Sequence, residues 1–307
     1  MHPIVWFFIL SNDRFPFKTL GLNQSFPQLF PWLRLFFWQL QPALSSKLLL
    51  NMTDSKPVVI PPNKNYGSGT YRRRILLRGQ QDCVVAELED CFHGFRVTLE
   101  HDGNKVTDIL GEPLRTPIST CDGAMLPIRK LIGTPLNTPN REFSRIADPR
   151  SNCTHLYDLT IMAISHALRG EQDWLYDINI ADEQKGVIDA EVLLNNRQVL
   201  HWTIAEGSIK EPANLSGNPV LKGFSKWAVL TFGTEDYEAA LALHKGYFVA
   251  VARKFDMTTM EGRKVMDYSP RLGICYTYSE GVAENAYRNR GAIRDFSDTP
   301  EALLTFK

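Results

Sequence analysis

Three side chains far apart in the chain, His93, Cys121 and Cys153, combine one imidazole with two thiols. Sulfur and imidazole are the ligands preferred by zinc, iron and iron–sulfur clusters. The spacing lacks the paired CxxC of a zinc ribbon, so the plain alternative is cysteines that pack as small hydrophobes beside a core histidine. Cys153 and His155 also open a predicted helix, where unpaired backbone N–H groups and the helix dipole favour a thiolate. Cys153 is therefore a candidate nucleophile as well as a metal ligand. His155 is a candidate general acid or base. Asp158, one turn further on, is a candidate to orient an imidazole. Arg72, Arg73 and Arg74 precede an apolar run and are candidates for substrate binding. Their guanidinium forks could grip a carboxylate or phosphate, or lie in solvent at a strand end.

These residues are placed by elements that the pattern predicts. Residues 83–89 alternate, with Val84, Ala86 and Leu88 on one side, which makes a half-buried strand. Phe95, Val97 and Leu99 mark a second strand, and period-two counting turns His93 inward with them. Asp102-Gly103-Asn104 supplies the positive φ of a hairpin turn, and residues 106–110 return. Cys121 falls in the turn before a helical stretch at 125–132, where Pro127 suits only the first turn. Ser151 or Asn152 caps the next helix, whose buried face carries Leu156, Leu159, Ala163 and Ala167 and which Gly170 ends. Strands at 176–180, 188–194 and 199–204 follow, the last two joined at Asn195-Asn196. Thr234 caps a long helix with acids in its first turn and Arg253 and Lys254 in its last. No internal repeat stands out.

The expected class is α+β. Four segments are expected: an extension at 1–56, a lead-in and first strand at 57–82, a small α+β unit at 83–170, and a β-rich unit with one long helix at 171–307. The 307 residues carry 34 basic and 34 acidic side chains, so no global field steers the chain to nucleic acid or to an anionic bilayer. Five cysteines without framework spacing suit reduced thiols in a cytoplasm. Residues 1–51 hold three of the six tryptophans and one acid, Asp13. Their apolar run at 4–10 is far short of the ~20 residues that span a bilayer. Met52 reads as a natural start, which leaves residues 1–51 as an over-extended frame or a membrane or targeting arm outside the fold.

Several segments together resemble a bacterial family known only as a domain of unknown function, the 2889 family. They are Tyr71-Arg72-Arg73-Arg74-Ile75, Asp90-Cys91-Phe92-His93-Gly94-Phe95, Thr120-Cys121-Asp122-Gly123-Ala124, Cys153-Thr154-His155-Leu156 and Gly273-Ile274-Cys275-Tyr276. That resemblance implies no activity. Residues 91–170 are also similar to iron–sulfur scaffold proteins of the IscU and NifU kind. The shared order is Cys91 and His93, a hairpin, a cysteine turn at Cys121, and Cys153 opening the last helix. It implies an IscU-like sheet with flanking helices. Asn152 replaces that family's histidine, Asp122 replaces a glycine, and Pro127 interrupts the helix after Cys121. These departures favour zinc or a bare thiol pair over a cluster. The resulting expectation is a cytoplasmic bacterial enzyme, a lyase, hydratase or hydrolase, acting on a small acidic substrate or acyl thioester. The alternative is a zinc or iron–sulfur carrier without catalysis.

Overall fold

The structure is a computed structural model that describes residues 58–269 and 272–306. The expectations for residues 1–51 lie outside the described residues. The class is α+β, built on one eight-stranded antiparallel sheet in the order β4-β3-β2-β1-β5-β6-β7-β8. The strands are β1 (Thr70–Gly79), β2 (Cys83–Asp90), β3 (Gly94–His101), β4 (Val106–Arg115), β5 (Asp173–Ala181), β6 (Val187–Leu194), β7 (Arg197–Ala205) and β8 (Ser208–Glu211). The helices are α1 (Met125–Ile128), α2 (Asn140–Ile146), α3 (Thr154–Ala167), α4 (Phe224–Thr231), α5 (Thr234–Ala250) and α6 (Val265–Tyr268).

The two alternating strands expected on either side of His93 form as β2 and β3, paired with Leu88 opposite Phe95 and Ala86 opposite Val97. Residues 125–132 begin as α1 and tighten into a 3-10 turn at Arg129–Leu131, with Pro127 inside the first turn. The N-cap of α3 is Cys153 itself, and its side chain makes no capping bond.

One face of the sheet is largely apolar. Register places Val84, Ala86 and Leu88 beside Ile75 and Leu77, and those beside Tyr176 and Ile178. Trp202 and Ile204 continue the face across β7. Helix α3 covers the β1–β3 half and α5 the β5–β7 half. Helix α5 crosses so closely that a Cβ on Gly246 would press on Ile178, which explains a glycine in a helix interior. The opposite face is polar. There Arg74 pairs with Asp177 at 2.6 Å, and Arg78 and Arg96 share Glu87.

The sheet does not break at residue 170, where two units were expected to meet. Strand β1 of the lead-in pairs with β2 on one side and with β5 on the other. The element order does repeat: a four-stranded meander and then a helix on the covered face, first β1–β4 with α3, then β5–β8 with α5.

Leu156 is fully buried between α3 and β4, where it faces Gly111. Leu156→Ala is expected to lower the unfolding free energy by about 2–5 kcal/mol, since it leaves a cavity in a packed layer. Urea denaturation of the variant against the parent checks this.

Candidate functional site

The site is built where β2 turns into β3. Asp90 ends β2 with its side chain on the covered face and no exposure to solvent. Its Oδ1 accepts the backbone N–H groups of Phe92 (2.8 Å) and His93 (2.9 Å), the local turn that aspartate makes two and three residues on. The same oxygen lies 3.0 Å from His93 Nδ1. Its Oδ2 accepts from the Tyr71 hydroxyl (2.8 Å) and from Arg73 Nε (3.1 Å) and Nη2 (2.6 Å). Strand alternation explains the convergence: Tyr71, Arg73 and Ile75 share the covered face of β1, and Arg73 is the register partner of Asp90.

The turn is gripped from its other side by Arg115, the last residue of β4. Its guanidinium donates to the carbonyls of Asp90, Cys91 and His93 and to the Glu89 carboxylate. It also donates to Ala292 O at 2.7 Å. The other oxygen of Glu89 accepts the backbone N–H groups of Leu304 and Phe306. The C-terminal segment thus belongs to the support of the turn.

His155, the second residue of α3, brings the second imidazole. Its ring stacks on that of His93 with centroids 3.8 Å apart and planes inclined by 26°. Burial lowers the His155 pKa well below its ordinary value, and the nearby His93 and Arg73 charges lower it further, against the pull of Asp90. It is a neutral imidazole near neutral pH. Burial alone would raise the Asp90 pKa. His93 and Arg73 outweigh it and hold the carboxyl well below the usual range. An ionised Asp90 is acceptor-only, so the proton between the two groups sits on His93 Nδ1.

That arrangement supports two kinds of chemistry. An aspartate-oriented histidine beside a neutral imidazole can take up and pass on a proton. The group could also hold a metal ion, since one ligand atom from each of Asp90, His93 and His155 lies within 4.8 Å of the others. Among the described residues this is the one group of three or more such ligands that close. Two features bear on the metal. Asp90 already accepts six hydrogen bonds, which suits a group that orients a ligand better than a ligand itself. The second is that His93 and His155, which would hold the ion, stand stacked and inclined by 26°.

His155 also lines a shallow pocket, with enclosed room for about one water molecule, together with Arg73, Asp158 and Lys245 among apolar Leu88 and Met162. Lys245 comes from α5 and pairs with Asp158 at 2.8 Å.

The sequence-predicted residues fare unequally. His93 and His155 do meet. Cys121 and Cys153 do not join His93 in a ligand group. Cys121 sits in a separate small cluster with Ile118, Val265 and Ala286, and its Sγ contacts Thr277. Cys153 faces the main core, where burial pushes its thiol well up and the neighbouring Cys121 adds to the shift. Desolvation therefore overrides the helix dipole that was expected to give a thiolate there. Asp158 serves the ion pair with Lys245 in place of an imidazole. The three arginines form no clamp, because β1 lies in the middle of the sheet and each has a partner within it: Arg72 binds Asn179, Arg73 binds Asp90 and Arg74 binds Asp177. Sequence reasoning missed Asp90, Tyr71 and Arg115. An aspartate ending an alternating strand three residues before a histidine was the available signal for the first.

No family model matches the chain, and neither a curated protein nor a solved structure matches it.

Stability should report the buried imidazoles. His155, His166 and His244 all have folded pKa values lowered first by burial, that of His244 to about 4. A histidine in the unfolded chain titrates near ~6.5. Below that pH the unfolded chain binds more protons than the folded one, so stability falls as pH falls toward the folded values. The unfolding free energy is expected to hold steady above about pH 7 and to decline below about 6.5. In His155→Gln the decline should be shallower. Urea titrations across this range check both expectations.

Proposed function

We propose that the protein is an enzyme that moves a proton on a small acidic organic molecule or acyl thioester, as a lyase, hydratase or hydrolase. The observation that carries this reading is the Asp90–His93 hydrogen bond beside the stacked ring of His155. In this reading His93 is the base. Asp90 fixes its tautomer and stabilises the imidazolium that forms when Nε2 takes a proton. His155 is neutral and lies against His93, so it can receive or return that proton on the pocket side. Lys245 at the pocket wall, beside apolar Leu88 and Met162, suits a small substrate that carries a carboxylate or a polarised thioester carbonyl. Five free thiols are in keeping with a reducing compartment. No helix among the described residues is long and apolar enough to cross a membrane.

The test is a panel of dehydration, hydration and thioester-hydrolysis assays on small carboxylates and their thioesters. For any substrate turned over, His93→Gln and Asp90→Asn are expected to lower kcat by about 10²–10⁴-fold. Unchanged kcat in both variants overturns the reading.

A second reading is favoured by the ligand atoms within 4.8 Å of one another. A divalent ion, zinc by the imidazole and carboxylate chemistry, would be held by His93 and His155 with Asp90 in support, and would supply Lewis acidity. Metal analysis of the purified protein and activity after chelation separate the two. Activity that survives chelation with no bound metal supports the proton relay. Loss with restoration by zinc supports the metal. Bound metal with no turnover anywhere in the panel supports a carrier.

A further inference from the structure

Three cysteines that serve no part of the proton relay are gathered at one place by three separate segments. Cys121 opens the 3-10 turn Cys121–Ala124 ahead of α1. Cys153 is the N-cap of α3. Cys275 precedes the short 3-10 turn Tyr276–Tyr278. The segments touch directly. Tyr276 N donates to Asn152 O at 3.0 Å, which ties the residue after Cys275 to the residue before Cys153. Cys121 Sγ lies 3.5 Å from Thr277 Oγ1, two residues from Cys275. Thr120 Oγ1 lies 3.3 Å from the same hydroxyl. A Cβ on Gly123 would run into the Tyr276 ring, so the glycine admits this close approach.

The electrostatics agree with the contacts. Burial raises the Cys121 thiol to about 11, with Cys275 contributing and Thr277 opposing. All five cysteines are free. Among these three, Cys275 is half-buried whereas Cys121 and Cys153 are buried; burial raises the Cys275 thiol as well, so access and not acidity makes it the one a small oxidant meets first.

We propose that Cys121 and Cys275 form a reversible modification site: a peroxide oxidises Cys275 and Cys121 closes a disulfide with it. In the first step the Cys275 thiolate attacks one peroxide oxygen. The S–O bond forms as the O–O bond breaks, and the leaving hydroxide takes up the proton that the Cys275 thiol gave up and departs as water. In the second step Cys121 Sγ attacks the Cys275 sulfur. The S–S bond forms, the S–O bond breaks, and the Cys121 proton leaves with the hydroxide as a second water. The two thiols are oxidised by two electrons and the peroxide is reduced by two. A thiol reductant reverses the change. The bridge ties residues 272–278 covalently to the turn before α1. Through Tyr276 and Asn152 it also stiffens the entry to α3, two residues ahead of His155.

The test uses the full chain, treated with hydrogen peroxide in small excess, quenched by alkylation and mapped by peptide mass spectrometry. A Cys121–Cys275 linked peptide is expected in the parent and in Cys153→Ser, with loss of two hydrogens by intact mass and full recovery on adding a reductant. Cys121→Ser should stop at an oxidised Cys275 that a sulfenic-acid trap labels. Cys275→Ser should show no link. A link from Cys121 to Cys153, or untouched thiols at 121 and 275 while other cysteines oxidise, overturns the proposal. Circular dichroism of each variant before treatment confirms that a negative result comes from folded protein.

Discussion

One buried charge organises the molecule. Asp90 is sealed from solvent and accepts hydrogen bonds from six donors supplied by the neighbouring strand β1 and one turn. An ionised carboxylate in an apolar layer is tolerated only when it is paired and fully hydrogen-bonded, and the loss of one buried partner typically costs about 3–5 kcal/mol. Arg73, itself 2 % exposed, meets it from β1. The pairing of β1 with β2, the register of that pair and the sharpness of the 90–93 turn must all be right at once. A slip of one residue would move Arg73 to the polar face and take it away from the buried Asp90.

The imidazoles take their places from that constraint. His93 is fixed through both its backbone N–H and its ring, so its Nε2 direction follows from the turn. His155 arrives on a helix that must cover the β1–β3 half of the sheet for reasons of apolar burial alone, with Leu156, Leu159 and Ala163 on its inner side. Hydrophobic packing thus positions one ring and hydrogen bonding the other. The stacked pair is the product of two independent forces.

Much of the fold could be read from the sequence where the pattern is local. The strands around His93, the hairpin at Asp102-Gly103, the helix ending near Gly170 and the long helix from Thr234 are all present. Each rests on periodicity or turn chemistry within a dozen residues. What could not be read is set by pairing across distance. The union of β1 with β5 makes one sheet of what looked like two units. It also turns three consecutive arginines into members of two opposite faces, each with a partner within the sheet. The thiols were misplaced for a related reason. Periodicity says that Cys121 and Cys153 stand at element ends, but only the tertiary layers decide that they face Thr277 and the core instead of His93. Asp90 went unnoticed because an acid at the end of a strand ordinarily lies in water. Here an arginine and a tyrosine from the neighbouring strand bring it inside.

The grip of Arg115 on the 90–93 turn has a consequence for how the chain comes to life during synthesis. That guanidinium is steadied by Ala292 O, and the Glu89 carboxylate beside it is closed by the N–H groups of Leu304 and Phe306. The ribosome delivers those groups about two hundred residues after the turn itself. Until they emerge, Arg115 and Glu89 sit at an unfinished rim, and the imidazole pair rests on a loose hinge. The nascent polypeptide can therefore lay down its strands early, yet the turn that holds the imidazole pair is fully braced only when residues 292–306 dock.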